Sequence, residues 1–290
     1  MIETIGIIGA GQMGNGIAHA CALAGKYVLL HDLSQEKAEA ALATINGNLA
    51  RQVALGKLSE QQRQQALSFI KVLNKKEQLG SADLIIETAF ENEKTKQDIF
   101  HELCQFLNPQ AIIATNTSTI SITRLAATTD RPERFIGLHF MNPVPLMNLV
   151  EIVRGIATDD KTFNAAEEFI TSLGKTFVVT QDFPAFVVNR VLLPMINEAI
   201  YTLYEGVASV EAIDSALRLG ANHPMGPLQL ADFIGLDTCL SIMHVLHDGL
   251  SDSKYRPCPL LIKYVEAGWL GRKSERGFYD YRGATPIPSR

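Results

Sequence analysis

An α/β fold, with a doubly wound parallel sheet followed by an all-α domain, is what the sequence predicts, on three observations. Short continuous apolar runs alternate with helical patterns through residues 1–183. Such runs mean parallel strands buried on both faces, with helices as crossovers. The first run, Ile5-Gly6-Ile7-Ile8, leads directly into Gly9-Ala10-Gly11-Gln12-Met13-Gly14. That is G-x-G-x-x-G at a strand-to-helix junction, the mark of a Rossmann-type sheet. After Asp182-Phe183-Pro184 the strand pattern stops and only helical periodicity remains. The expected domains are therefore 1–183 and 184–290, the first carrying a helical-pair insertion at about 34–68.

The glycines have separate duties. Gly9 permits the tight turn, Gly11 lets a pyrophosphate approach the backbone, and Gly14 lets the helix sit close to the strand. The helix N-terminus then faces the negative charge. A second apolar strand, Tyr27-Val28-Leu29-Leu30, ends at His31-Asp32. Asp32 lies near the offset of about 20 residues expected for a carboxylate that takes the adenosine ribose hydroxyls. An acid here, where a 2′-phosphate would meet a like charge, favours NAD over NADP. The bland alternative is a glycine-rich surface turn, which would not need flanking strands.

Bulk properties narrow the class. The chain has 290 residues and a net charge of -5, ordinary for a globular protein and adverse to a nucleic-acid surface. Its four cysteines, Cys21, Cys104, Cys239 and Cys258, form no C-x-x-C pair and read as reduced thiols in a cytoplasmic protein. No charged-then-apolar leader opens the sequence, so no signal peptide is expected, and no apolar run approaches a membrane span.

Taken in order, Ser34 can cap a helix that Gly56 ends, and Ser59-Glu60 starts a second. A plain crossover would be one helix, so the pair is an insertion. It carries Arg51 and Lys57, which read either as a solvated face or as contacts for a phosphate-rich ligand tail. Strands follow at Ala82–Thr88, Ala111–Ala114 and Arg134–Phe140, with a helix over Asn92–Phe106. Four small polar residues, Asn116-Thr117-Ser118-Thr119, stand at a strand's carboxyl end, where open α/β sheets bind ligands. Met141-Asn142-Pro143-Val144-Pro145 forces a reversing loop. The chain returns as Asn148–Arg154, and a helix at Lys161–Leu173 and a strand at Thr176–Val179 complete the domain.

Beyond Pro184 five helices are expected: Val187–Tyr204, Val210–Leu217, Leu228–Phe233, Asp237–Leu246 and Pro259–Ala267. Their apolar faces are broad. Leu192, Leu193, Met195, Ile196 and Ile200 are read as an interface, giving a homodimer built on this domain.

A candidate chemistry follows from one pair. In the returning strand, alternation places Glu151 among aliphatics, and a buried carboxylate needs a partner. His139, at the end of the neighbouring strand, supplies it. Alcohol oxidation removes a hydride and the hydroxyl proton, and a histidine is the natural base near neutral pH. A carboxylate on its far nitrogen fixes the tautomer and stabilises the imidazolium. Ser118 and Asn189 are candidates to hydrogen-bond the substrate oxygen. For an isolated histidine a core role would be favoured; the carboxylate and the nucleotide fold reverse that. His244 and His247, one helical turn apart, lack a third ligand, and no metal site is expected.

With these motifs on the page, the whole chain from Ile5 to about Tyr281 resembles the L-3-hydroxyacyl-CoA dehydrogenases. The resemblance rests on G-A-G-Q-M-G at Gly9, N-T-S at Asn116, G-L-H-F-M-N-P at Gly137, V-E-I-V-R-G at Val150, F-V-V-N-R at Phe186, N-H-P-M-G-P at Asn222 and G-R-K-S-E-R-G-F-Y-D-Y at Gly271. It implies NAD-dependent, reversible oxidation of a short (3S)-3-hydroxyacyl-CoA to the 3-ketoacyl-CoA. It implies His139 as acid/base, Glu151 as its orienting partner, and Ser118 and Asn189 as substrate-positioning groups. For NAD it implies the glycine loop with Gln12 and Met13, then Asp32, Glu91, Lys96, Asn116 or Asn142, and Lys273. For coenzyme A it implies the insertion, here Arg51 and Lys57, with Ser118 near the thioester end. The C-terminal helices resemble the family's dimerisation domain.

Three departures stand out: Met141 where a second Phe is usual, Ala54-Leu55 where close relatives carry lysines, and Ser274-Glu275-Arg276 where Ser-Gly-Lys is common. Two other readings stay open at this stage. One is a dehydrogenase of a free hydroxy acid or sugar acid such as gulonate, for which Arg51 and Lys57 would have no purpose. The other is a non-catalytic NAD-binding relative, for which Ser118, His139, Glu151 and Asn189 would have none.

Overall fold

The computed structural model describes residues 2–289. The chain divides into two compact units, the first ending at Phe186 and the second beginning at Val187.

The first unit is an eight-stranded sheet of order β3-β2-β1-β4-β5-β6-β7-β8. Its strands are β1 (Thr4–Ile8), β2 (Tyr27–His31), β3 (Ile70–Leu73), β4 (Leu84–Glu87), β5 (Ile112–Thr115), β6 (Phe135–Phe140), β7 (Leu149–Arg154) and β8 (Thr176–Gln181). β1 lies between β2 and β4 and pairs in parallel with both. This is the point where strand order reverses, and the crevice at the strands' carboxyl ends is where such sheets bind ligands. Among the described residues of this sheet, β6–β7 is the one antiparallel pair. Helices α1 (Gln12–Leu23), α2 (Gln35–Ala54), α3 (Glu60–Ser68), α4 (Glu93–Leu103), α5 (Ile122–Ala126) and α6 (Asp160–Ser172) complete the unit. One apolar cluster centres on Ile5, Ile7, Ile17 and Val28, and another on Phe100, Ile113 and Phe135. They pack helices on both faces of the sheet, as the continuous apolar strands require.

The insertion is a helical pair. Ser34 caps α2 through Lys37 N–H, and Ser59 opens α3 with a capping box closed by Gln62. β3 is an element that the sequence reading passes over. It is four residues long, follows α3 after Phe69, and forms the sheet's edge beside β2.

The second unit is helical: α7 (Val188–Tyr204), α8 (Val210–Gly220), α9 (Pro227–Ile234), α10 (Leu236–Leu250) and α11 (Pro259–Glu266). α7 is its centre, packed by α8, α9, α10 and α11. That corrects the interface expectation: Leu193, Ile196 and Ile200 are buried within the chain and have no surface to offer a second copy. Buried carboxylates tie the unit together. Asp214 accepts the Leu228 and Gln229 N–H groups at 2.8 and 3.0 Å, capping α9. Asp232 accepts from Phe278 N–H, Tyr279 N–H and the Tyr281 hydroxyl, which fastens the C-terminal segment to α9. Among the described residues no single helix is long and apolar enough to cross a membrane.

Candidate active site

The glycine loop has the geometry its motif requires. Gly9 has φ +95°, and a Cβ on it would come within 2.9 Å of the Thr88 carbonyl. A Cβ on Gly14 would lie 1.8 Å from the Gly9 oxygen, whereas one on Gly11 would meet nothing within 4 Å. The backbone is thus closed on its inner side and open at Gly11, the cradle a pyrophosphate needs. α1 begins just after Gly11 with no side chain capping it, so its first N–H groups are available to an anion. Asp32 stands at the end of β2, its Oδ2 accepting the Ala10 N–H at 2.8 Å and its Oδ1 the Ser34 N–H at 3.1 Å. Gln12 reaches across to Asn142, Nε2 to Oδ1 at 3.0 Å. Met13 packs its side chain on the core, so what it can offer a cofactor is backbone.

A cleft of about 840 Å³ opens over this loop. Its floor is Gly9–Gln12 with Asp32, and one wall is the Asn142–Pro145 loop. Lys37, Thr44 and Asn48 of α2 line it as well, and no motif in the sequence points to them. Thr44 and Asn48 are four apart on one helix face, and Arg51 follows one turn later on that side. Arg51 and Lys57 are exposed and lie outside the cleft lining, Lys57 in the turn after Gly56.

Glu91 organises the loop after β5. Its Oε1 accepts from the Thr117 hydroxyl at 2.5 Å, the Ser118 N–H at 2.9 Å, and both the N–H and hydroxyl of Thr119. Asn116 turns inward and accepts the Phe140 N–H at 2.8 Å, locking this loop to β6. Lys96 is 1% exposed. Its ammonium donates to both oxygens of Glu87 at 2.8 and 3.0 Å and to the Ala89 carbonyl, with Glu91 Oε2 at 3.4 Å. Burial pushes the Glu87 carboxyl above the ordinary range, opposed by Lys96.

On the far side of β5 lies the second buried pair. The β6–β7 register sets His139 directly opposite Glu151, so both side chains share one face of the sheet. His139 Nδ1 is 2.6 Å from Glu151 Oε2, with the histidine 6% exposed and the glutamate 0%. An ionised carboxylate accepts the Nδ1–H hydrogen bond and so selects the tautomer in which Nε2 carries no proton. Nε2 makes no hydrogen bond among the described residues. The Phe186 ring, 5.7 Å from the imidazole between centroids, shields it from water. Phe186 and the preceding Ala185 both hold positive φ, at 54° and 61°, while buried. Nothing in an apolar pattern announces that conformation.

Of the residues singled out from sequence, the structure gathers Gly9, Gly11, Gln12, Asp32 and Asn142 at the cleft, while Met13 and Gly14 lie behind its lining. It joins Glu91, Lys96, Asn116 and Ser118 around the loop after β5, and pairs His139 with Glu151. Asn189, in the first turn of α7, and Lys273 belong to the second unit. Lys273 Nζ donates to Asp237 Oδ2 at 2.6 Å, at the start of α10.

Residues 4–183 match the family described as 3-hydroxyacyl-CoA dehydrogenase, NAD binding domain, and residues 186–281 its C-terminal domain. The chain belongs to the 3-hydroxyacyl-CoA dehydrogenase family. It is 68% identical over 290 residues to the 3-hydroxybutyryl-CoA dehydrogenase of Bradyrhizobium diazoefficiens, covering 100% of this chain and 99% of the relative. A probable 3-hydroxybutyryl-CoA dehydrogenase of Bacillus subtilis is 55% identical, with 98% and 99% covered. The crystal structure of (S)-3-hydroxybutyryl-CoA dehydrogenase from Ralstonia eutropha superposes with a TM-score of 0.96 at 48% identity, covering 98% of this chain and all of that one. As a member of this family the protein is an NAD-dependent oxidoreductase. The open cradle at Gly11 and the carboxylate of Asp32 fit that cofactor.

Proposed function

We propose that the protein oxidises a short (3S)-3-hydroxyacyl-CoA, such as 3-hydroxybutyryl-CoA, reversibly to the 3-ketoacyl-CoA. The observation that carries this is the buried His139–Glu151 pair, 2.6 Å apart, with Nε2 of the histidine uncommitted. When bound, NAD takes the hydride that leaves the carbinol carbon. His139 Nε2 removes the hydroxyl proton as the carbonyl forms, and Glu151 stabilises the imidazolium that results. In reduction the same nitrogen returns the proton. Phe186 and the strands around the pair keep water from levelling the transfer.

Ser118 and Asn189 hydrogen-bond the substrate oxygen, and Ser118 does so from a loop that Glu91 holds rigid. Gly9–Gly14 cradle the pyrophosphate and Asp32 the adenosine ribose, with Glu91, Lys96, Asn116, Asn142 and Lys273 completing the cofactor's surroundings. The coenzyme A tail runs along α2, where Asn48 joins Arg51 and Lys57 as a polar contact. The names of the relatives at 68% and 55% identity support the substrate class. The enzyme works as a cytoplasmic homodimer whose contacts come from surfaces of the helical unit other than Leu193, Ile196 and Ile200.

His139→Gln tests the mechanism. Turnover followed through reduced nicotinamide should fall about 10³-fold or more, with the affinity for NAD kept. Undiminished turnover would refute the base assignment.

A further inference from the structure

Glu87 is fully buried, yet nothing in the reaction calls for a second carboxylate at this depth. Its four hydrogen bonds explain where its charge is directed. Oε1 accepts from the Ala89 N–H at 2.6 Å and from Lys96 at 2.8 Å; Oε2 accepts from Lys96 at 3.0 Å and from the Thr115 hydroxyl at 2.7 Å. Two branches leave it. Through Lys96 the first reaches Glu91, whose other oxygen gathers the Ser118 and Thr119 N–H groups. The second passes through Thr115, whose hydroxyl accepts the Thr117 N–H at 3.3 Å. Both branches end on one loop, Thr117–Thr119, at the carboxyl end of β5.

We infer that Glu87 is a positioning residue for the cofactor side of the site: from the end of β4 it aims Lys96 and Thr115, and through them fixes Glu91 and the Thr117–Thr119 loop. A buried ammonium would otherwise turn wholly to Glu91, drawing that carboxylate off the loop. With Glu87 in place, Lys96 is held short of a full ion pair with Glu91, 3.4 Å against 2.8 Å. Glu91 is thereby left extended toward the loop, its side chain 39% exposed. Groups that touch no ligand but lock the groups that do are how a site holds its geometry. The inference rests on the reading that Glu91 and this loop border NAD.

Two variants separate positioning from charge balance. Glu87→Asp keeps the buried negative charge but withdraws it by one methylene, and Glu87→Gln keeps the shape without the charge. If Glu87 only neutralises Lys96, the aspartate serves and the KM for NAD stays at the wild-type value. If Glu87 positions, both variants lower kcat less than they affect cofactor binding, since Ser118 shares the loop but His139 and Glu151 are untouched, and they raise the KM for NAD by about tenfold. Thr115→Val, which cuts only the lighter branch, should raise it about threefold. A folded Glu87→Asp protein with wild-type KM for NAD overturns the inference; should neither Glu87 variant fold, a wild-type KM in Thr115→Val does so. A wild-type protein indifferent to NAD would instead sink the reading of the site itself.

Discussion

Two buried acid–base pairs stand on either side of β5, and they are built to opposite ends. Glu87–Lys96 is closed: both oxygens of the carboxylate and the ammonium have partners on β4, α4, β5 and the loop after β4. His139–Glu151 is open at one atom, the histidine's Nε2. The lesson is that burial alone does not mark a reacting group. A buried charge with all its partners is architecture, worth its desolvation only through the geometry it enforces. A buried base with one uncommitted nitrogen has the form that the proposed proton transfer needs.

Breaking the closed pair should cost the most stability. Lys96→Met strands the Glu87 carboxylate in the interior, and a loss of about 3–5 kcal/mol is expected by denaturant unfolding. Breaking the open pair should instead cost rate. Glu151→Gln is expected to reduce kcat about a hundredfold, with a melting temperature within a few degrees of wild type and unchanged KM for NAD. If Glu151→Gln were as destabilising as Lys96→Met while retaining turnover, the two pairs would have been assigned the wrong way round.

A third test contrasts acid responses of the two units. His19 of α1 is 1% exposed, and burial lowers it to about 4. A base depressed in the folded state contributes stability that is complete above its unfolded value near 6.5 and disappears as pH falls toward 4. Asp232 in the helical unit is raised by burial to about 6, so its contribution is largest in acid and is lost as pH rises from about 4 to 6. His19→Gln should therefore lose about 2 kcal/mol less than wild type between pH 7 and 4.5, measured by denaturant unfolding at each pH. Asp232→Asn should shift the slope in the opposite direction. The smallest effect is expected at the surface. Arg51→Ala with Lys57→Ala should raise the KM for the acyl-CoA by about fivefold at low ionic strength and by less in high salt, as exposed charges do. An unchanged KM would remove the coenzyme A contact from these two residues.

Where the sequence was legible, its signals were local. The glycine loop and Asp32 depend on spacing within one βαβ unit. His139 and Glu151 could be paired because a proline hairpin joins their strands and side-chain direction alternates strictly. Lys96 was harder, because Glu93-Lys94-Thr95-Lys96-Gln97 has the look of any solvated helix turn. Only the fold-back of α4 onto β4 buries one lysine of the two. Glu87 hides at the end of an apolar run for the same reason. Leu193, Ile196 and Ile200 share a helix with exposed Val191, and which stripe faces inward was decided by α8–α11. β3 gives no signal in the sequence because four residues are too few to show a period.

Absorbance at 340 nm, with acetoacetyl-CoA and NADH beside free acetoacetate and NADPH, tests the whole account most directly. NADH oxidation that requires the thioester, and is weak with NADPH, is the predicted result. Activity on free acetoacetate equal to that on the thioester would contradict it, since the coenzyme A tail proposed along α2 would then contribute nothing.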